Sequence, residues 1–292
     1  MILTFYKYHG AGNDFILFDN RNAVLPRQHP LFYASLCHRR FGIGADGVML
    51  LQNHAQGDFE MVYYNADGHE GSLCGNGGRC MVAFAHLLKV QTKKANNNYY
   101  FLAADGWHYA QVLDNKSTGD INEIQVALQM ANVTDIKKHS NTDWELNTGS
   151  PHYVKFVEEV QNYPVIASGK AIRNSPAYIA AGINVNFVEP HSTQPNYLKI
   201  RTYERGVEDE TWACGTGVTA AALAADLGNF LQQNNLNSQT TGQQTVLVQA
   251  NGGLLQVQFE KQILANGQIV YANIWLIGPA AFVFKGQFDA KF

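Results

Sequence analysis

CGNGGRCMVAFA, running from Cys74 to Ala85, is the stretch from which the fold is read. It has a counterpart in CGTGVTAAALAA, from Cys214 to Ala225. Each is Cys-Gly-X-Gly leading straight into an apolar helix, expected over about 76–88 and 216–231. A short helix that is apolar nearly all round is buried on most sides. The duplication extends outward from the cysteines. GIGADGV begins at Gly42 and GINVNFV at Gly182, each 32 residues before its cysteine. HGAGNDF opens one half and NTGSPHYV the other, with Asn13 61 residues before Cys74 and Ser150 64 before Cys214. Asn65 precedes its cysteine by nine residues and Glu204 by ten. Four matches in one order argue for two homologous halves. The expected boundary is near 115–120, where DNKSTGD is turn-rich, giving halves of 1–117 and 118–278. A C-terminal strand at about 279–292 crosses back to complete the first.

Between these landmarks the pattern is mostly strand. Apolar alternation or β-rich runs occupy 58–64, 124–130, 153–157, 198–203, 245–248, 254–259 and 274–277. Two shorter helices are expected over about 30–39 and 168–174. The polar stretches KKANNN (93–98) and QQNNLNSQTTGQQ (232–244) read as solvated loops. GIGADG at 42–47 matches the G-x-G-x-x-G dinucleotide pattern. That turn must follow a strand and open a helix, whereas here CHRRF precedes it and strand-like VMLLQ follows. It reads as a turn entering a strand, and NADG at 65–68 reads as a turn as well.

The 292 residues are 46% hydrophobic and 15% charged, enough for a large core. With 21 Lys and Arg against 24 Asp and Glu, the net charge is −3, which disfavours a nucleic-acid partner. No apolar run reaches the roughly 18 residues of a membrane span. The N-terminus MILTFYKYHG lacks the pattern of a signal peptide, so a cytoplasmic protein is expected. Cys37, Cys74, Cys80 and Cys214 form no CxxC pair, so neither a zinc ribbon nor a thioredoxin-type site is indicated, and no metal is expected.

A lone cysteine is ordinarily a small buried hydrophobe, and Cys37 and Cys80 are read that way. Cys74 and Cys214 differ because glycines and a helix start follow at once. A helix N-terminus offers unpaired N–H donors and partial positive charge. It stabilises a thiolate, and it can hold a substrate carboxylate. Two such thiols on opposite sides of one ligand suit inversion of a stereocentre, one as base and one as acid. The planar carbanion between them is stabilised electrostatically by helix N-termini. His152 in GSPH falls near the second half-site and is read as a tuner of the thiol. Glu204 and Arg205 end the strand LKIRTY and are placed to pair with the ammonium and carboxylate of an amino acid.

HGAGNDFILFD, GIGADG, NADGHEGSLCGNGGRC, GSPHYV, GINVNFV, RTYERG, ACGTG and GPAAFVFKG together resemble the diaminopimelate epimerase family, in family order from about residue 7 to 287. The resemblance implies an α/β fold of two similar halves, each a mostly antiparallel rolled sheet around a central helix, with the active site in the cleft between them. It implies a cofactor-free isomerase that interconverts LL- and meso-2,6-diaminopimelate in lysine and cell-wall synthesis. Cys74 and Cys214 would be the paired acid and base. Asn13, Asn65, Gly75, Asn76, Asn184, Glu204, Arg205, Gly215 and Thr216 fall where the family binds substrate, and His152 and Glu204 where it tunes the thiols. A small amino acid is the expected partner, and a homodimer is consistent with the resemblance. Three departures stand out. Ser150 occupies a position where many members have Asn, replacing an amide contact by a hydroxyl. Gly47 stands where some have Gln. GVEDETWA, between Arg205 and Cys214, is one residue longer than the commoner spacing, with an outward bulge expected near Glu208 and Asp209. Two other readings keep the paired thiols in view: a proline or hydroxyproline racemase of the same fold, and a thiol redox or binding protein. A pyridoxal-dependent racemase would need a Schiff-base lysine, and no lysine here has a suggestive context.

Overall fold

The computed structural model describes residues 1–71, 73–93, 97–113, 122–231 and 242–290. The turn-rich stretch 115–120, residues 94–96 of the first polar stretch and 232–241 of the second lie outside the described residues. In chain order the elements are β1 (Ile2–Gly10), β2 (Asn13–Asp19), α1 (Pro30–Cys37), β3 (Gly47–Gln52), β4 (Phe59–Asn65), α2 (Gly75–Leu87), β5 (Asn98–Ala103), β6 (Gly106–Val112) and β7 (Asn122–Gln129). There follow β8 (Ile136–Lys138), β9 (Asp143–Asn147), β10 (Pro151–Phe156), α3 (Val165–Arg173), β11 (Asn184–Pro190), β12 (Tyr197–Glu204) and β13 (Asp209–Thr211). The chain ends with α4 (Gly215–Leu227), β14 (Gly242–Ala250), β15 (Gly253–Ile263) and the long β16 (Ile269–Asp289). Two compact units result: Met1–Leu128 with Gly278–Phe292, and Gln129–Ile277. The first unit runs past the expected residue 117 because β7 pairs with β6 and with the returning part of β16.

In the first unit the strand order is β1-β2-β3-β4-β5-β6-β7-β16, and β16 pairs back onto β1 to close the ring. All neighbours are antiparallel except β2/β3 and β4/β5. Those two parallel pairs are the ones bridged by α1 and α2, as parallel neighbours need a crossover. The second unit repeats the plan in the order β8-β9-β10-β11-β12-β14-β15-β16, with β13 on β12. Its parallel pairs are β10/β11 and β12/β14, bridged by α3 and α4. A bridge between Val133, ahead of β8, and Tyr271 on β16 joins its ends.

The strands that carry the parallel crossovers are buried on both faces. Ile16, Phe18, Val48 and Leu50 pack in the core beside α1, while Phe15 and Met49 reach the glycine-rich start of α2. Two covered faces make a continuous apolar run rather than an alternating one, which is why β2 gave no alternation signal. In the second unit Val185, Phe187 and Tyr203 pack with Val165 of α3. Asn184 and Asn186 alternate with them and therefore point to the face of β11 covered by α4.

The helices depart from the sequence expectation at their ends. α4 stops at Leu227 rather than about 231, because Asn229 turns left-handed (φ 56°) and Phe230 folds back to stack on Phe156 at 4.0 Å. α3 begins at Val165, three residues before the expected 168, since Val165 anchors it in the core. α1 ends at Cys37 rather than 39, where His38 becomes extended. One of the four repeat matches is displaced too. Phe15 and Gly47 open the β2/β3 ladder, as His152 and Asn184 open the β10/β11 ladder. Asn13 therefore corresponds to Ser150, and Asn65 to Glu204, but the counterpart of Asn184 is Gly47. Gly42 and Gly182 share a spacing only because the loops differ: β3 begins at Gly47, whereas β11 begins two residues after Gly182. Among the described residues no helix is long and apolar enough to cross a membrane.

At the far end of α4 the fully buried Asp226 carboxylate accepts from Lys261 Nζ at 2.8 Å, Tyr271 Oη at 2.5 Å and Gln244 Nε2 at 3.1 Å. Asp226→Ala would leave the Lys261 ammonium buried without its counter-charge, which costs about 3–5 kcal/mol. Urea unfolding should show that loss, and the double variant Asp226→Leu/Lys261→Met should recover most of it.

Candidate active site

In the second unit Cys214 is the N-cap of α4, and its Sγ lies 3.4 Å from Thr216 Oγ1. Thr216 Oγ1 is 2.8 Å from His152 Nε2, and His152 Nδ1 is 3.1 Å from Asn186 Nδ2. The orientation of the Asn186 amide follows from its other partners. Its Nδ2 donates to the Tyr153 carbonyl at 3.1 Å, and its Oδ1 accepts from Thr202 Oγ1 at 3.0 Å. His152 Nδ1 thus meets a donor and must offer its lone pair, so the ring proton sits on Nε2. That Nε2–H donates to Thr216 Oγ1, which frees the threonine hydrogen for Cys214 Sγ. Burial, followed by the charge of Arg205, depresses His152 from 6.5 to about 3, so the ring is a neutral donor. Gly217 makes the arrangement fit, because a Cβ there would collide with Asn186 Oδ1.

The strand ends next to this relay form a second group. Asn184 Oδ1 accepts from the Arg205 backbone N–H at 2.9 Å, and its Nδ2 donates to Ser150 Oγ at 2.9 Å and to the Pro151 carbonyl at 3.1 Å. Arg205 Nη2 also donates to Ser150 Oγ, at 3.4 Å, and its Nη1 to the Ala181 carbonyl at 3.2 Å. Ser150 therefore gathers Asn184 and Arg205 around one hydroxyl. Glu204 Oε2 accepts from Thr211 Oγ1 at 2.8 Å. The longer segment after Arg205 forms a hairpin in which Glu204 pairs with Asp209. Glu208 takes its left-handed corner (φ 59°), solvent-exposed, and accepts from Tyr203 Oη at 3.2 Å.

In the first unit Cys74 is the N-cap of α2, and its Sγ donates to Asn13 Oδ1 at 3.4 Å. Asn13 is oriented by Asp46, whose Oδ2 accepts from its Nδ2 at 2.5 Å. Arg39 links Asp46 to Asp14, each at 2.7 Å, and Lys7 Nζ reaches Asp14 at 2.6 Å. Burial would raise the Asp14 carboxyl, but hydrogen bonds and charge from Arg39 and Lys7 outweigh it and bring it to about 2. Gly75 and Asn76 form the buried first turn of α2, and Asn76 Oδ1 accepts from Arg79 Nη2 at 2.9 Å. Asn65 ends β4 at an exposed position, its backbone N–H bound to the His69 carbonyl at 2.9 Å. Gly47 has no room for a larger residue, since a Cβ would lie 2.5 Å from Tyr63 and the Tyr64 carbonyl. Cys37 and Cys80 are buried thiols pushed up to about 12 by burial. Among the described residues, which include all four cysteines, no disulfide is formed.

Asn186, Thr202, Asp46 and Arg79 belong to these half-sites and were not singled out from the sequence. The alternation in GINVNFV was a usable signal for Asn186, since residues 184 and 186 of a strand share a face. Arg79 carried no signal beyond being a charge inside an otherwise apolar helix.

The sequence pattern of the diaminopimelate epimerase family matches residues 5–106 and 145–271, most of both units. The chain belongs to the diaminopimelate epimerase family. It is 46% identical over 283 residues to the diaminopimelate epimerase of Flavobacterium psychrophilum, covering 97% of this chain and 99% of that protein. With the corresponding protein of Chlorobaculum tepidum it shares 39% over 281 residues, covering 95% and 98%. The fold is also that of more distant solved structures. A PhzF-family phenazine biosynthesis protein of Bacillus anthracis superposes with a TM-score of 0.70 at 12% identity, covering 99% of this chain and all of that one. A hydroxyproline epimerase of Agrobacterium vitis does so with 0.63 at 12% identity, covering 98% and 92%. At such identities the likeness concerns the fold alone.

The relay makes a prediction about acid. The unfolded chain takes up a proton on His152 near pH 6.5, whereas the folded one holds it off to about 3. The stability this group contributes is therefore complete above pH 6.5 and is lost as pH falls toward 3, by at most about 1.4 kcal/mol per pH unit. Unfolding measured through that window should show the fall, and His152→Gln should flatten it. In long-range proton–nitrogen NMR the resonance missing from that variant should show Nε2 protonated and Nδ1 bare between about pH 5 and 8.

Proposed function

We propose that this chain is a cofactor-independent epimerase that interconverts LL- and meso-2,6-diaminopimelate by proton transfer between two cysteines. The observation that carries the reading is the twice-built helix start: in each unit a thiol caps a buried helix whose first turn is Gly-Asn-Gly or Gly-Thr-Gly. Family membership supplies the substrate.

One cysteine as thiolate takes the α-proton, and the other as thiol returns a proton to the opposite face of the same carbon. The C–H electron pair stays on the α-carbon between the two events, delocalised into the carboxylate. The N–H groups at Gly75, Asn76, Gly215 and Thr216 stabilise that charge where it develops. Thr216, backed by neutral His152, donates to Cys214 and lowers the cost of its thiolate. Glu204 also tunes the thiols. Asn13, Asn65, Asn184, Glu204 and Arg205 hold the ammonium and carboxylate groups of the substrate, which carries an amino-acid group at each end. The activity belongs to lysine and peptidoglycan precursor synthesis in the cytoplasm, with a homodimer as the assembled form.

The test is turnover of LL-diaminopimelate by the purified full chain under reducing conditions, without added cofactor. Conversion to the meso form is expected, with proline and 4-hydroxyproline unchanged. Cys74→Ala and Cys214→Ala should each lower kcat by at least about 10³-fold, since removing either group leaves no acid or no base. A single variant with full activity, or turnover of proline in preference to diaminopimelate, contradicts the reading.

A further inference from the structure

The two units repeat their backbones but not their polar support. His152, Asn186 and Thr202 lie under the start of α4. At the matching places under α2 the first unit has Phe15, Met49 and Tyr63. Phe15 opens its ladder as His152 does, and a Cβ on Gly77 would meet Met49 and Phe15 as one on Gly217 meets Asn186. The strand side of the first half-site therefore has no ring nitrogen to support its sulfur. The helix side differs in the opposite sense. Five residues after Cys214 stands Thr219, which bonds back to the Gly215 carbonyl at 3.1 Å. Five residues after Cys74 stands Arg79, which is 0% exposed.

A fully buried guanidinium normally has a carboxylate partner, because an uncompensated buried charge is costly. Among the described residues Arg79 has none. It donates to three neutral oxygens: Asn76 Oδ1 at 2.9 Å, the Gly75 carbonyl at 3.3 Å and the Pro279 carbonyl at 3.4 Å. Gly10 leaves it room, since a Cβ there would come within 3.0 Å of the Asn76 carbonyl and 3.5 Å of Arg79 Nη2. Burial lowers the pKa of Arg79, and the sulfurs of Cys80 and Cys74 are the groups that work against this. Cys80 is pushed up to about 12 by its own burial and stays a neutral thiol. Cys74 is then the neighbour able to supply the missing negative charge. In the thiol form Cys74 donates to Asn13 Oδ1, a contact that favours keeping its proton. A reversible epimerase needs the thiolate at this position as well.

We propose that Arg79 is the positioning residue of the first half-site: its buried charge offsets the Cys74 thiolate, and its hydrogen bond to Asn76 Oδ1 turns the Asn76 amide N–H₂ away from the helix. It acts there as His152 acts in the second unit, from the helix instead of the strand. The inference rests on the reading of Cys74 as one of the two acid–base thiols.

The other ionisable groups on the elements packed against α2 have other partners or no charge to offer: on β7 Glu123 accepts from Gln125 Nε2 at 3.4 Å, and on β16 Asp289 pairs with the N-terminal ammonium. On β1 and β2, Lys7 pairs with Asp14, which Arg39 joins to Asp46, and Asp19 pairs with Arg21. Tyr8 is raised by burial and stays neutral, and Tyr6 is the other phenol of β1. Next to and on β6, Asp105 pairs with His108 and also accepts from the Leu73 N–H at 3.4 Å, and Tyr109 is a phenol. β3 carries no ionisable side chain. His9 on β1 remains, with a buried Nδ1 that has no hydrogen-bond partner among the described residues, and it serves as the control.

The experiment is iodoacetamide alkylation of the full-length protein across a pH series without substrate. Cys74 and Cys214 are followed separately by peptide mass. Arg79→Met and Arg79→Gln should each raise the Cys74 midpoint by at least about one pH unit, a roughly tenfold slower alkylation near neutral pH, and leave Cys214 unchanged. Arg79→Lys should stay near the parent, and His9→Gln should not move Cys74. Both charge-removing variants are expected to fold, since they relieve a buried unpaired charge; Arg79→Gln also keeps a donor toward Asn76. The proposal is overturned if Cys74 keeps its profile without the charge, if both cysteines shift together, if Arg79→Lys behaves as Arg79→Met does, or if His9→Gln produces the shift. Because no turnover is measured, this outcome is independent of whether Cys74→Ala abolishes epimerisation.

Discussion

A helix that enters its own sheet must start on small residues where it comes close to the strands, and its N-terminus must still find a partner for its N–H groups. That constraint shapes both units. α4 carries Ala220 to Ala225 almost without interruption, every residue but Leu223 an alanine and all of them out of contact with water. α2 begins with three glycines in four residues, of which Gly77 is set against Met49 and Phe15 and Gly78 against Leu73 and Leu128. The N–H groups of the first turn cannot be satisfied within the helix. A cysteine placed at the cap, with an extended backbone in both units, sits where those donors converge. The crossover between parallel strands thus sets a thiol at the positive end of a helix as a by-product of packing: the helix has to enter the sheet, and the cysteine stands at its entrance.

The repeat has diverged in what lies under that entrance. The second unit supports its sulfur from the strands, through Asn186, His152 and Thr216 in series. The link is neutral throughout, because burial keeps the ring uncharged and Asn186 selects the tautomer. The first unit fills the same strand positions with Phe15 and Met49 and places a guanidinium on the helix instead. A neutral relay and a buried charge are different ways of stabilising a thiolate. Under the proposal made for Arg79, the two sulfurs would respond differently to substitution even though the backbone around them is repeated. A two-base reaction needs one sulfur charged and one protonated at any moment, so inequivalent surroundings are compatible with a symmetric fold.

Much of this was legible in the sequence, and the reasons for the rest are physical. The cysteines, their helices and the halves were visible because a Cys-Gly-X-Gly start is compositionally rare and occurs twice. Asn65 and Glu204 were matched correctly because the strands they end lie only nine and ten residues before the cysteines, and Asn13 and Ser150 because each stands two residues before the start of a repeated parallel ladder. Gly42 and Gly182 were mismatched because loops of different length lie between those glycines and their strands. β1, β2, β5, β6, β8, β9, β11 and β13 are the strands that the sequence expectation lacks. Some, such as β2, are buried on both faces and do not alternate; others, such as β8 and β13, have only three residues. Arg79 was illegible for a different reason. Its importance lies in full burial without a carboxylate beside it, which local composition does not encode.

The central claim is that two separate thiols handle the proton, one on each face of the α-carbon. Its most direct test is deuterium incorporation during the first turnovers of LL-diaminopimelate in deuterated water. If the thiolate that removes the proton is distinct from the solvent-exchanged thiol that returns one, early product carries α-deuterium while recovered substrate remains protiated. Deuterium appearing in the substrate as fast as in the product would mean that a single base serves both faces, and the account of the paired cysteines would be wrong.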